Sequence, residues 1–408
     1  MTMKNNIPAG YKDSAVGIIP QEWDVKRVKD LGSVITGSTP PTADVSNYGS
    51  EYMFVSPADL SDNQKYVLST EKMLSSKGYA ISRKMPKGTI LYTCIGSTIG
   101  KIGIASRELT SNQQINAVIC NDKNEYLYYA LLLTTGRIKM LAGEQAVPII
   151  NKSEFENIKL AVPPMEEQRK IAEILDVWDE AIEKQSRLIE KLELRKRALM
   201  QRLLTGRTRL PGFTTPWQKV KLGEICEEFV LRNTDDNDYI VLSCTKYNGL
   251  VSSLDYFGKQ IFSDNLRTYK VVPKYHFTYA TNHIEEGSIG YQGSYDYALI
   301  SPMYTVFKAD DTKVDNYFLY TLLKTPLMIY NYQSRIEGSI DRRGGLRWDA
   351  FAGITIKLPS LPEQKAIAEV LTTADDEITT HRKKLDALRL QKRGLMQQLL
   401  TGKTRVKI

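Results

Sequence analysis

From Ile171 onward, positions alternately four and three residues apart are Ile171, Leu175, Trp178, Ile182, Gln185, Ile189, Leu192, Lys196, Leu199 and Leu203. The same spacing returns from Ile367 through Leu371, Ala374, Ile378, His381, Leu385, Leu388, Lys392 and Leu395 to Leu399. A period of about 3.5 residues held over about five heptads belongs to a coiled-coil seam rather than to one face of a globular helix. Two long helices are therefore predicted, each about 57 Å long at about 1.5 Å per residue. Ser360 and Glu363 read as a capping box with Pro362 in the first turn. Gly206 and Gly402 stand where a C-terminal cap is wanted.

The two helices are copies of one another. Residues 163–209 realign on 359–405 without a gap, 22 of 47 positions are identical, and the copies end in LLTGRTR and LLTGKTR. A repeat this long predicts one structural unit built twice and related by a pseudo-two-fold. Reading two half-sites on a two-fold object such as DNA is a function that needs this.

Charge bears on how the helices pair. Nine acidic residues fall in 163–193, whereas 194–209 holds Arg195, Lys196, Arg197, Arg202, Arg207 and Arg209 and no acid. The second copy also ends without an acid, 390–408 carrying Lys392, Arg393, Lys403, Arg405 and Lys407. Antiparallel pairing sets each acidic half beside the other's basic half and cancels the dipoles. The alternative is that each bias only complements its own helix dipole.

The remaining segments differ in kind. All 23 tyrosines lie outside the repeats, nine before the first and fourteen between the two. Residues 20–155 and 214–350 carry short β-branched and aromatic runs broken by Gly and Pro, such as GTILYTCIG, YIVLSC and MYTVF. These read as strand-rich, mixed α/β domains. They echo one another weakly. Trp23 with Val28 and Leu31 answers Trp217 with Val220 and Ile225 as an entry strand. Pro86–Tyr92 answers Pro273–Tyr279, each followed by a Gly-rich turn, Gly96–Gly103 and Gly287–Gly293. The expected class is α+β: mixed α/β domains over 1–160 and 211–356 alternate with helices over 161–210 and 357–408, which form an antiparallel coiled coil.

At 408 residues the chain is too long for one core. No apolar run approaches the roughly 18 residues that would cross a bilayer. The start MTMKNNIPAGYKD is too polar for a signal peptide. Mean hydropathy of −0.32 and the absence of CxxC among Cys94, Cys120, Cys226 and Cys244 suit a cytoplasmic protein with reduced, buried thiols. The net charge of +8 suits a polyanionic partner without requiring one.

Catalytic motifs are missing. GSTIGKIG at 96–103 is one residue short of a phosphate loop and has Ile102 where Ser or Thr would hold magnesium, so a strand-turn-strand with Lys101 exposed is expected. There is no GxGxxG after a strand and no Asn-Pro-Pro-aromatic tetrapeptide. His276 and His283 stand alone and His381 falls on the seam, so neither a metal cluster nor a nucleophile–histidine arrangement is predicted.

The domain–helix–domain–helix order resembles the specificity subunits of type I restriction–modification systems. So do GYKDSAVGIIPQEW, VPPMEEQRKIAEIL with its echo LPSLPEQKAIAEVL, and LMQRLLTG with LMQQLLTG. The resemblance covers essentially the whole chain. It implies two target-recognition domains, each reading half of a bipartite site in double-stranded DNA. It also implies spacer helices that dock two methyltransferase (modification) subunits, with restriction/translocase subunits in the full complex. The chain itself would have no catalytic residue and no cofactor, S-adenosylmethionine, ATP and magnesium belonging to the partners; no membrane role is implied.

Base contacts do not transfer through such a resemblance, because recognition domains differ between members. Candidates are therefore polar, basic and aromatic residues in the turns. In the first domain these are Ser38, Thr39, Ser97, Thr98, Lys101, Asn112, Gln113 and Gln114. In the second they are Lys274, His283, Tyr291, Gln292, Arg342, Arg343 and Arg347. Arg can read guanine, Asn or Gln adenine, and Lys can hold phosphate. Two other readings are a self-sufficient methyltransferase or nuclease, which the missing motifs disfavour, and a bare coiled-coil scaffold, which would not need two Tyr-rich domains.

Overall fold

The computed structural model describes residues 7–61, 64–120, 125–142, 147–336 and 345–407. Contacts divide the chain into two units. One is Met1–Ile189 with His381–Ile408; the other is Glu190–Thr380. The long helices run Met165–Leu203 and Leu361–Leu400, so each unit contains one globular domain and half of each helix.

The first unit is built on a five-stranded sheet in the order Gly32–Thr36, Ile115–Cys120, Ile90–Thr93, Ile102–Ala105 and Tyr66–Val67. Alternation along its strands feeds two cores. Ile90, Tyr92 and Val118 pack with Tyr129, Phe155, Ile171, Leu175 and Leu399, while Leu91, Ile115 and Ala117 pack with Met53 and Val55. In the second unit the sheet order is Cys226–Glu228, Tyr304–Ala309, Phe277–Ala280 and Ile289–Tyr291. This repeats the first four positions of the first sheet. Its core joins Phe277, Tyr279, Phe307 and Phe318 to Leu203, Ile367 and Leu371.

The tryptophan-led segments do form entry strands, although Tyr11–Lys12 and Ile19–Pro20 precede the first of them, and each finds its partner at the end of its domain. Asp24–Arg27 pairs antiparallel with Lys159–Val162, and Gln218–Lys221 with Thr355–Leu358. Each partner strand runs directly into a long helix. Gln168 and Gln364, which are repeat equivalents, fasten these junctions. Gln168 Nε2 donates to Pro163 O at 2.8 Å, and Gln364 Nε2 donates to Pro359 O at 2.9 Å.

Within each unit the helix halves run antiparallel. In the first, Arg405 donates through Nε and Nη2 to Glu167 at 2.7 and 3.0 Å, Lys392 meets Asp179, and Gln185 meets His381. In the second, Arg209 donates through Nε and Nη2 to Glu363 at 2.5 and 2.7 Å, Lys196 meets Asp375, and Arg195 meets Glu377. None of the seam positions from Ile171 to Leu203 or from Ile367 to Leu399 is exposed. Trp178, Leu199, Leu388 and Leu395 are half-buried; Ile171, Leu175, Ile182, Ile189, Leu192, Leu203, Ile367, Leu371, Ile378, Leu385 and Leu399 are buried. Burial of such side chains stabilises by roughly 1.5–3 kcal/mol each.

Helix ends follow the expected chemistry at one terminus only. Gly206 and Gly402 both adopt φ +69°. Thr208 N donates to Arg202 O and Thr404 N to Gln398 O, so one turn is built twice. The expected capping box at Ser360 is superseded, because both carboxylate oxygens of Glu363 accept from Arg209.

Candidate nucleic-acid interface

In the first domain three turns meet at one end of the sheet. They follow Gly32–Thr36, join Ile90–Thr93 to Ile102–Ala105, and precede Ile115–Cys120. Backbone bonds lace them: Ser38 N to Ser111 O at 2.9 Å, Gly37 N to Ile115 O at 3.0 Å, and Cys94 N to Gln114 O at 2.8 Å. All eight first-domain candidates therefore lie on this one end. Ser97, Gln113 and Thr39 are exposed, and the Thr39 hydroxyl donates to Gln113 Oε1. Asn112 folds into a local turn, accepting from Gln114 N at 3.1 Å and donating to Gln114 Oε1 at 2.9 Å. Lys101 corrects the expectation of an exposed cation: it is half-buried and donates to Pro57 O at 3.0 Å. The strand-turn-strand itself is present, Ile102 pairing with Tyr92.

In the second domain the candidates separate. The turn equivalent to 94–101 is 281–288, between Phe277–Ala280 and Ile289–Tyr291, which the glycine pattern alone had shifted by several residues. His283 lies on it, and Leu346 N donates to Thr281 O at 3.0 Å, bringing exposed Arg347 to the same end. Lys274, Tyr291 and Gln292 lie at the opposite end. Gln292 is buried, and its Oε1 accepts from Ser294 N and Tyr295 N at 2.9 and 3.2 Å. Lys274 sits 3.9 Å from Asp296 and over the Tyr275 ring, while Tyr291 packs against Phe277. Arg342 and Arg343 fall outside the described residues.

Two histidine expectations change. His283 is not alone, since Nδ1 lies 3.9 Å from Glu286 Oε1 and its ligand atom is within 4.8 Å of those of Glu285 and Glu286. This trio, with His283 and Glu286 exposed and Glu285 half-buried, is the only such group among the described residues. His276 packs edge-on to Phe229 at 4.6 Å, its Nδ1 donates to Lys274 O at 3.1 Å, and burial lowers its pKa. Burial pushes the thiols of Cys94, Cys120, Cys226 and Cys244 up to about 12, which leaves them protonated and poor nucleophiles.

Other polar and aromatic residues reach these same ends. Arg83 joins the first-domain end through Thr36 O and Ser38 Oγ. Lys246 and Tyr247 cap a hairpin over Leu242–Ser252 at the His283 end of the second domain. Its Asn248-Gly249 dipeptide between two apolar runs was a legible hairpin signal. The domains are anchored on the helices by tyrosines, Tyr129 buried and Tyr317 half-buried. Tyr129 donates to Asp176 and Asp179, Tyr317 donates to Asp375, and burial together with these carboxylates drives both phenols well above their ordinary pKa.

The geometry is thus one sheet framework carried twice, with different turns displayed at its ends. Comparison with known proteins identifies it. The family "Type I restriction modification DNA specificity domain" matches residues 20–194 and again 215–390, so the chain belongs to that family. Its work is DNA specificity within a type I system, not catalysis. The chain is 27% identical over 428 residues to the MjaVIII specificity subunit of Methanocaldococcus jannaschii, covering 95% of this chain and 94% of that one. It is 35% identical over 194 residues to the MjaIX specificity subunit of the same organism, a match covering 45% of each. Among solved structures, the S subunit of a type I system from M. genitalium aligns over 98% of both chains with TM-score 0.54 and 16% identity. No helix among the described residues is long and apolar enough to cross a membrane.

Proposed function

We propose that this chain recognises a bipartite target in double-stranded DNA, the first domain reading one half and the second the other. The long helices form a continuous antiparallel coiled coil, related by a pseudo-two-fold, that sets the gap between the halves. They dock two methyltransferase subunits, and restriction/translocase subunits complete the assembly. S-adenosylmethionine, ATP and magnesium belong to those partners.

The observation that carries this reading is the repeat of the Arg–Glu and Lys–Asp pairs. Glu167 with Arg405 and Glu363 with Arg209 exchange the same two repeat positions, as do Asp179 with Lys392 and Asp375 with Lys196. Two like frames with unlike turns suit two specificities on one scaffold. Within them, the turns bearing Thr39, Ser97 and Gln113, and those bearing His283 and Arg347, face the bases.

Gel shifts and methyl transfer with the chain alone and with modification subunits added test this directly. Methylation is expected only near a 2:1 ratio of modification subunits to this chain. Binding should weaken steeply with salt as phosphate contacts release counterions. Incorporation of labelled methyl groups by the pure chain overturns the non-catalytic assignment.

A further inference from the structure

Tyr247 is 83% exposed, the highest value among the large hydrophobic and aromatic side chains described. It stands between Leu242–Thr245 and Gly249–Ser252, at the tip of their hairpin. That tip is held from several sides. Thr245 Oγ1 accepts from Asn248 N at 3.0 Å and donates to Gly249 O at 3.2 Å. Lys324 Nζ donates to Lys246 O at 3.0 Å and reaches Ile289 O at 3.4 Å.

Two glycines let the hairpin lie directly on the sheet. Gly249 adopts φ +63°, and a Cβ there would stand 2.5 Å from Tyr320 Oη. A Cβ on Gly290 would stand 2.5 Å from Leu250 Cγ and 2.9 Å from Leu250 N. A braced tip therefore presents an uncovered ring, with Lys246 Nζ 5.3 Å from its centroid. The first domain places a different loop at the start of its equivalent strand: Pro57–Asp59, tied by Lys101 through Pro57 O. The frame is shared and the tip is not, as a specificity-determining element requires.

We propose that Tyr247 is a sequence-reading residue of the second domain, packing its ring against a base of the duplex target while Lys246 takes a neighbouring phosphate. This rests on the reading of the chain as a DNA-specificity subunit. A ring with only two side-chain torsions, on a tip already fixed, orders at little entropic cost. Base–aromatic stacking is sequence-tolerant by itself, so selectivity comes from which step admits the ring and from the polar groups of Asn248 and His283 at the same end.

The test uses the chain assembled with its methyltransferase subunits. Tyr247→Ala should lower affinity for the specific duplex between about fivefold and a hundredfold, the range of a lost base–aromatic contact. Tyr247→Phe should stay near wild type. In sequenced methylated motifs the alanine variant should relax one half-site and leave the other intact. Lys246→Ala should weaken binding to all sequences alike and reduce the salt slope by about one. Melting should not move for any of the three variants, because both side chains are at the surface. A Tyr247→Ala complex that methylates the same motif at the same rate overturns this assignment alone. A wild-type complex that methylates no bipartite motif overturns the functional reading and this assignment together.

Discussion

Gln185 and His381 occupy the same place in the two copies of the repeat, 196 residues apart, and they bond to each other. Gln185 Nε2 lies 2.8 Å from His381 Nδ1 and 3.0 Å from His381 O. Away from this layer a residue meets a different position of the other copy, as Asp179 meets Lys392 and Glu167 meets Arg405. A position meets its own copy only where two antiparallel copies cross at their midpoint. Ile182, Ile189 and Leu385 surround this polar layer with apolar ones.

The first prediction tests that direction. Ile171 and Leu399 share one core, and Leu203 and Ile367 share the other. Paired cysteine substitutions at 171 with 399, and at 203 with 367, should crosslink readily under mild oxidation. Cysteines at 171 and 367 should not. Crosslinking of that last pair alone would require parallel helices.

A second prediction uses an asymmetry between the two repeated ion pairs. Glu167 and Glu363 are both fully buried. Glu167 also accepts from Trp23 Nε1 at 2.9 Å, whereas the equivalent Trp217 Nε1 is buried without a hydrogen-bond partner. Arg405→Ala leaves its carboxylate one donor, but Arg209→Ala leaves Glu363 without either. Removing one partner of a fully buried pair costs about 3–5 kcal/mol; here the arginine side chains are 26% and 38% exposed, so both losses should fall below that range, Arg209→Ala costing more than Arg405→Ala. Denaturant unfolding of both variants measures the order, and equal losses would mean the tryptophan bond contributes nothing.

Much of this was legible in the sequence because it is local or periodic. The seam needs only the spacing of Ile, Leu and their polar exceptions, and the caps need only Gly206 and Gly402. What was not legible depends on contacts far along the chain. Nothing near Lys101 announces Pro57 O, and nothing near Glu363 announces Arg209, whose side chain replaces the expected cap. In the second domain the glycines at 287–293 span a turn, a strand and the next turn, so Gln292 and His283 fall at opposite ends. The hairpin that carries Tyr247 was legible, since its Asn-Gly turn is a strong local signal.

A third prediction concerns the thiols. Burial holds Cys94, Cys120, Cys226 and Cys244 protonated up to about 12, against an ordinary value of 9. At pH 8 the native protein should react with a thiol reagent far more slowly than the unfolded one. The sign for stability follows from the raised folded-state values. Their contribution is whole below pH 9 and is lost as the pH climbs toward 12, because only the unfolded chain ionises. Fast labelling of all four thiols in native protein at pH 8 would contradict the burial.

The last prediction separates what is read from how far apart it is read. Replacing 214–350 by the equivalent domain of a relative should change one half of the methylated motif and leave the other half intact. Lengthening the first helix just ahead of Leu203-Leu204-Thr205-Gly206 should act differently. Four added helical residues extend it by roughly 6 Å, close to two base pairs at about 3.4 Å each. Near the helix end such an insertion spares the layers around Ile182 and Leu385, whereas mid-helix it would shift Gln185 off His381 and break the seam. The expected outcome is one or two base pairs added to the unspecified gap with both half-sites unchanged. Sequencing methylated motifs from cells carrying each variant decides it. A helix insertion that alters the specified bases, or a domain exchange that alters both halves, would show that domains and helices do not divide the work in this way.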